Sequence, residues 1–203
     1  MTSDPSEYLS IEQYYFPNQG YILTTAPTLV LNEIQATIND IMTKQVNPVE
    51  YNKRLAGQIR HEYKMEFSQQ AESMIEFICN EYHRKFNTLG TPNKLLGSWI
   101  NMQTKHEFNP LHNHDGQLSW VIWVTIPYKL QDELAMFSQA KGQEASMFGF
   151  VYQEILGQIR THLLPVDQDW QGRMAIFPAK LGHFVHPFYT SDGVRISVAG
   201  NMG

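Results

Sequence analysis

A chain of 203 residues with 42% apolar content is long enough for one domain with a real core. Its net charge of −5, with mixed signs, offers no basic face for a nucleic-acid backbone. The one cysteine, Cys79, excludes an intrachain disulfide and a cysteine-based zinc site, and its apolar helical surroundings make it core filler. Met1-Thr2-Ser3-Asp4-Pro5 has no basic region leading into an apolar one, and no run of about 18 apolar residues occurs. A cytoplasmic protein without a membrane partner is expected, with oligomeric state left open.

Residues 1 to about 24 are polar and aromatic, with one short strand expected at Tyr21-Ile22-Leu23. Between Pro27 and Lys44, Val30, Ile34, Ile38 and Ile41 recur every three or four residues, which predicts an amphipathic helix ended by Asn47-Pro48. A second helix is predicted over Ser68 to Phe86. Ala71, Met74, Ile75, Ile78, Tyr82 and Phe86 form its buried stripe, and Ser68 is its cap. Gly90-Thr91-Pro92-Asn93 is a break.

Beyond the break the chain turns β-rich. Leu96 to Thr104 and Leu118 to Ile126 read as strands from their Trp, Ile, Val and Thr content. Gln131 to Ser146 is polar around Gly142 and reads as a long loop able to act as a lid. Phe148 to Leu156, Ile159 to Leu164, Arg173 to Phe177 and Gly193 to Ala199 supply further short strands. Helices first and strands later mean α+β, and strands at this spacing fit a jelly roll. We read residues 1–203 as one domain, with 1–92 mainly helical support and 93–203 the jelly-roll core that carries the site.

The chemistry concentrates in Asn109-Pro110-Leu111-His112-Asn113-His114-Asp115-Gly116. On an extended backbone His112 and His114 point to one face, and neutral imidazole is a ligand for iron, zinc, copper and nickel. His183, after a strand entering a proline turn, is the candidate third ligand; His186, three residues on, falls on the opposite face. In Val194-Arg195-Ile196-Ser197-Val198, Arg195 and Ser197 share a face. That face is either solvent or a barrel interior, where a guanidinium would need a carboxylate to offset its burial.

These pieces resemble the 2-oxoglutarate- and Fe(II)-dependent oxygenases, on the double-stranded β-helix form of the jelly roll. They are similar to a subgroup of small oxygenases in Trp99-Ile100-Asn101, in His112-Asn113-His114 with Leu118-Ser119 following, in Phe177-Pro178 through His183 to Pro187, and in Arg195-Ile196-Ser197 through Asn201. The resemblance covers roughly the last hundred residues. It implies Fe(II) held by His112 and His183, and 2-oxoglutarate as a small-molecule co-substrate bound by Arg195 and Ser197, with Trp123 and Asn101 in the same pocket. The third ligand in the superfamily is a carboxylate two residues after the first histidine, and that position here is His114. Strand parity favours His114, while a kink at Gly116 would bring in Asp115. Trp120 and Trp123 stand where the subgroup often has Gly and Tyr; an inward Trp123 would narrow the pocket. The implied reaction hydroxylates a primary substrate that the sequence does not identify. Two alternatives stay open: a cupin-like metalloprotein that does not use 2-oxoglutarate, and a non-catalytic jelly-roll binding module.

Overall fold

The structure, a computed structural model, describes residues 20–88 and 92–203. Expectations for residues 1–19 and for Gly90 and Thr91 lie outside them. Helix α1 (Thr28–Met42) buries Val30, Ile34 and Ile38, the positions its periodicity picks out. Helix α2 (Gln69–Phe86) starts at Ser68, whose Oγ accepts from Ala71 N at 3.3 Å, and ends at Asn87 in the left-handed conformation. The Glu33 carboxylate of α1 accepts from Ser68 N at 2.9 Å and Oγ at 2.6 Å, which ties the two helices at that cap. The buried stripe of α2 is Ala71, Ile75, Cys79 and Tyr82, whereas Met74 is 36% exposed. At 3.6 residues per turn Met74 sits on one margin of that stripe, and Cys79 extends it on the opposite flank.

The strands are β1 (Ile22–Thr25), β2 (His61–Met65), β3 (Leu95–Gln103), β4 (Asn109–His112), β5 (Leu118–Thr125), β6 (Phe148–Gln153), β7 (Ile159–Leu164), β8 (Arg173–Pro178), β9 (Gly182–Val185) and β10 (Arg195–Met202). They form two antiparallel sheets, ordered β1-β8-β5-β10-β3-β2 and β4-β9-β6-β7. Alternation sorts the large sheet's side chains: Trp120, Ile122, Met174, Ile176 and Val198 pack under α1 and α2. Val121, Trp123, Ala175 and Phe177 form a second core with Phe148, Phe150 and Leu164 of the smaller sheet. This is the expected α+β jelly roll with helices against one face.

Three details depart from the sequence reading. Besides its helices and the expected short strand, here β1, the N-terminal part supplies β2, which with β1 makes the two edges of the large sheet. A short helix, α3 (Leu130–Met136), takes up the first part of Gln131–Ser146, so that segment is no plain loop. Its Glu133 is fully buried and accepts from Tyr189 N and Thr190 N, both at 2.8 Å, and from the Thr190 hydroxyl. A buried carboxylate held by a distant loop leaves no periodic apolar signal. Finally, β4 ends at His112, so His114 lies beyond the strand. No helix among the described residues is long and apolar enough to cross a membrane.

Candidate metal centre

His112 on β4 is the register partner of His183 on β9. His183 is 4% exposed, with Phe177 edge-on at 4.9 Å and Phe148 stacked at 5.9 Å between ring centroids. After His112 the chain turns, and His114 N donates to Ala179 O at 2.9 Å, which brings the His114 ring back beside the other two. A turn, rather than strand alternation, therefore makes the shared face. Ring centroids lie 4.3 Å apart for His112–His183, 4.9 Å for His112–His114 and 5.0 Å for His114–His183. One ring nitrogen from each lies within 4.8 Å of the others.

The backbone sets the tautomers. His112 Nδ1 meets Pro110 O at 2.7 Å and His183 Nδ1 meets Leu181 O at 2.9 Å. A carbonyl only accepts, so both Nδ1 atoms carry the proton and both Nε2 lone pairs are left for the cluster. Burial, then the neighbouring His112, pushes His183 down to about 3 against the bond to Leu181 O, and His114 down to about 4 against the pull of Asp115. Burial also lowers His112. Three neutral imidazoles with converging lone pairs are a donor set that iron accepts.

Asp115 does not join them. Its side chain is fully exposed and accepts from Lys180 Nζ at 2.9 Å, and that contact holds its carboxyl below the usual carboxylate range. Gly116 has φ +98, and a Cβ there would stand 2.4 Å from Met202 O, so the turn requires glycine. The turn sends Asp115 outward. His186 also stays apart, with its Nε2 3.1 Å from Glu144.

Arg195 is 4% exposed and lines the same cavity as the histidines, with Ser197, Asn101 and Trp123. Its five N–H groups are all engaged. Nε and Nη2 donate to Gln103 Oε1 at 3.0 and 2.7 Å, Nη1 to the Tyr128 hydroxyl at 2.9 Å and Ser146 O at 2.8 Å, and Nη2 also to His186 O at 2.8 Å. The guanidinium lies 5.3 Å from the Phe188 ring centre. Every one of these acceptors is neutral, so the expected carboxylate is not supplied by the described residues. Trp123 is 3% exposed and stands edge-on to Phe148 and Trp170, a wall that narrows the cavity. Asn101 Nδ2 lies 3.4 Å from Ser197 Oγ.

Sequence reasoning missed Gln103, Tyr128 and Glu62. Glu62 lines the cavity at 1% exposure, and burial together with the Glu107 charge pushes it up to about 7. A lone glutamate in His61-Glu62-Tyr63-Lys64-Met65 carries no motif that could have marked it.

A sequence model of the family described as "Putative 2OG-Fe(II) oxygenase" matches residues 97–201. No curated protein matches the chain. Among solved structures, the chain is similar to a Pseudomonas putida prolyl-4-hydroxylase at 12% identity and TM-score 0.53, covering 91% of this chain and 92% of that one. It is similar to a prolyl hydroxylase from Trichoplax adhaerens, solved with a hypoxia inducible factor peptide fragment, at 10% identity and TM-score 0.51, covering 91% and 83%. HygX from Streptomyces hygroscopicus, solved with nickel, 2-oxoglutarate and hygromycin B bound, is similar at 9% identity and TM-score 0.53, again covering 91% and 83%. At such identities the likeness is one of fold.

Proposed function

The chain belongs to the 2OG-Fe(II) oxygenases, matched over 97–201, and from that premise we propose that His112, His114 and His183 hold its Fe(II) and that Arg195 receives 2-oxoglutarate. The observation that carries this reading is the convergence of three neutral imidazoles, two with Nδ1 fixed on backbone carbonyls, in one cavity with a buried arginine. An all-imidazole set replaces the carboxylate ligand of the wider superfamily, and the outward turn at Asp115 is what supports that choice.

When bound, iron with O₂ and 2-oxoglutarate supplies oxidative decarboxylation to succinate and CO₂, coupled to insertion of the second oxygen atom into a substrate C–H bond. The protein's part is binding, orientation and exclusion of water. Pro110 O and Leu181 O fix two imidazoles with Nε2 inward. Phe148, Phe177 and Trp123 keep the surroundings dry. Arg195 brings a buried positive charge that neutral acceptors satisfy in geometry but do not neutralise, and a carboxylate of the co-substrate would do both. Ser197 and Asn101 add hydrogen-bonding groups beside it. An enzyme of one domain over 1–203, in the cytoplasm and without nucleic-acid or membrane partners, is part of the same proposal; its mixed charges support the lack of a nucleic-acid partner.

The test is anaerobic loading. Fe(II) followed by 2-oxoglutarate should produce a metal-to-ligand charge-transfer absorbance in the wild-type protein, which Arg195→Met should weaken while leaving iron bound. A cupin-like metalloprotein would bind iron and give no such band.

A further inference from the structure

β2 is an edge of the large sheet, and its register places Glu62 opposite Asn101, which in turn stands opposite Ser197. The three side chains form one row across the inner face, and Glu62 sits about 10 Å from Ser197, two strand spacings away. Across the cavity, Asn109 opens β4, an edge of the smaller sheet. Gly57 bridges these edges. A Cβ on it would stand 2.4 Å from Asn109 Oδ1 and 2.6 Å from Glu62 Oε1. Gln58 N donates to Phe108 O at 2.8 Å, so this backbone spans the gap between the two sheets.

Glu62 Oε2, Asn101 Oδ1 and Asn109 Oδ1 are buried with no hydrogen-bond partner among the described residues, and all three residues line the cavity. Leaving such an atom unmade costs roughly 1–3 kcal/mol, and orphans in a native protein call for an explanation. Turning an amide end for end makes a donor of an asparagine, whereas Glu62, once ionised, has only acceptors to offer. Glu62 also sits in the field of Glu107, and its displacement to about 7 marks a carboxylate without a cation.

We propose that this end of the cavity is the primary-substrate subsite and that it takes the ammonium group of a small primary alkylamine. The inference rests on the oxygenase reading for calling the amine a substrate; the subsite itself stands on Glu62 and the two asparagines. An ammonium offers three N–H donors, one for each orphaned oxygen. A divalent metal fits poorly, since hard cations gather six or more oxygens and usually several carboxylates. Arg195, two residues along β10 from Ser197 and paired with Gln103, repels a second cation, so a diffusing amine is steered to the Glu62 end and a carboxylate toward the guanidinium.

The probe is n-butylammonium, with 1-butanol as its neutral counterpart. Each is titrated into the anaerobic Fe(II)·2-oxoglutarate protein, read by the charge-transfer band, and into the metal-free protein, read by ligand-detected NMR. Butylammonium should bind at least tenfold more tightly than butanol in both forms. Glu62→Gln, which keeps size and shape, should erase that preference while retaining iron and 2-oxoglutarate. Gly57→Ala, which fills the gap, should lose butylammonium binding altogether. Equal affinity for the two probes, or an unchanged preference in Glu62→Gln, overturns the subsite with the oxygenase reading intact. Absence of the band in wild type with the amine preference preserved by NMR overturns the oxygenase reading and leaves the cation subsite standing.

Discussion

His112, His114 and His183 turn free ring nitrogens toward one another, whereas Arg195, in the same cavity, has all five N–H groups engaged by protein oxygens. The first arrangement is preformed: the imidazoles are neutral, two of the three have their tautomers set by backbone carbonyls, and a metal has only to enter. The second is satisfied without its ligand, so a carboxylate has to displace an acceptor to reach the guanidinium. Gln103 is the one to displace, because its single side-chain oxygen takes two of the five donors, whereas Ser146 O and His186 O belong to the backbone. The metal end thus binds by occupation and the anion end by exchange.

The largest effect should come from the preformed end. His112→Ala, His114→Ala or His183→Ala should each weaken Fe(II) binding by more than the roughly 10- to 100-fold typical of losing an outer partner of a ligand. Asp115→Ala should leave it unchanged in an anaerobic iron titration. Iron lost in Asp115→Ala and kept in His114→Ala would replace the all-imidazole site with a carboxylate one.

Next comes the exchanging end. Arg195→Ala should weaken 2-oxoglutarate binding by about a hundredfold, within the 2–5 kcal/mol typical of truncating one side of a buried charged pair. Fe(II) affinity should change little. Arg195→Lys should recover only part, since an ammonium cannot make two parallel hydrogen bonds to a carboxylate. Circular dichroism on each variant separates lost binding from lost fold, because Arg195 also secures Ser146 O and His186 O.

Glu62 sharpens the contrast, being the cavity group whose charge depends on neutral pH. Its folded value of about 7 exceeds its ordinary 4.5, so the folded state holds the proton longer. Wild-type stability should fall as pH rises from about 4.5 to 7, by up to about 3 kcal/mol, and stay low above that. Glu62→Gln should remove this loss, so its melting temperature should exceed wild type at pH 8 and match it at pH 4. The histidines titrate alike in both proteins and cancel. Equal melting temperatures at pH 8 would show that Glu62 is not strained by its charge.

The smallest effect tests exchange directly. Gln103→Leu should tighten 2-oxoglutarate binding about threefold, because two donors no longer need to be vacated, while costing about 1–3 kcal/mol of stability through those same unmet donors. Weaker binding would make Gln103 a support for Arg195 and not a competitor.

The sequence showed most plainly what repeats. α1 and α2 are long enough for their periodicity to outweigh a misjudged Met74, β5 is a continuous apolar run buried on both faces, and β10 alternates from Ile196 to Met202. The family resemblance led to the histidines and Arg195 because those motifs are dense. What stayed hidden depends on pairings between distant segments. β2 buries a glutamate on its inner face, which hides its alternation, and α3 is anchored by Glu133 on residues 189 and 190. Gln103 and Tyr128 matter only because the fold brings them to Arg195, and no local pattern announces such partners.

β10, last of the strands in chain order, lies inside the large sheet between β5 and β3. A ribosome makes the sheet's flanks before its centre. Until residues 195–202 have emerged, β3 and β5 have no strand to join them, and each exposes an unpaired edge. Arg195 and Ser197 arrive on that same strand, so closure of the sheet and delivery of the buried cation are a single event during synthesis. Chains stalled before residue 195 should therefore be protease-sensitive, and release of the next eight residues should convert them to the protected form.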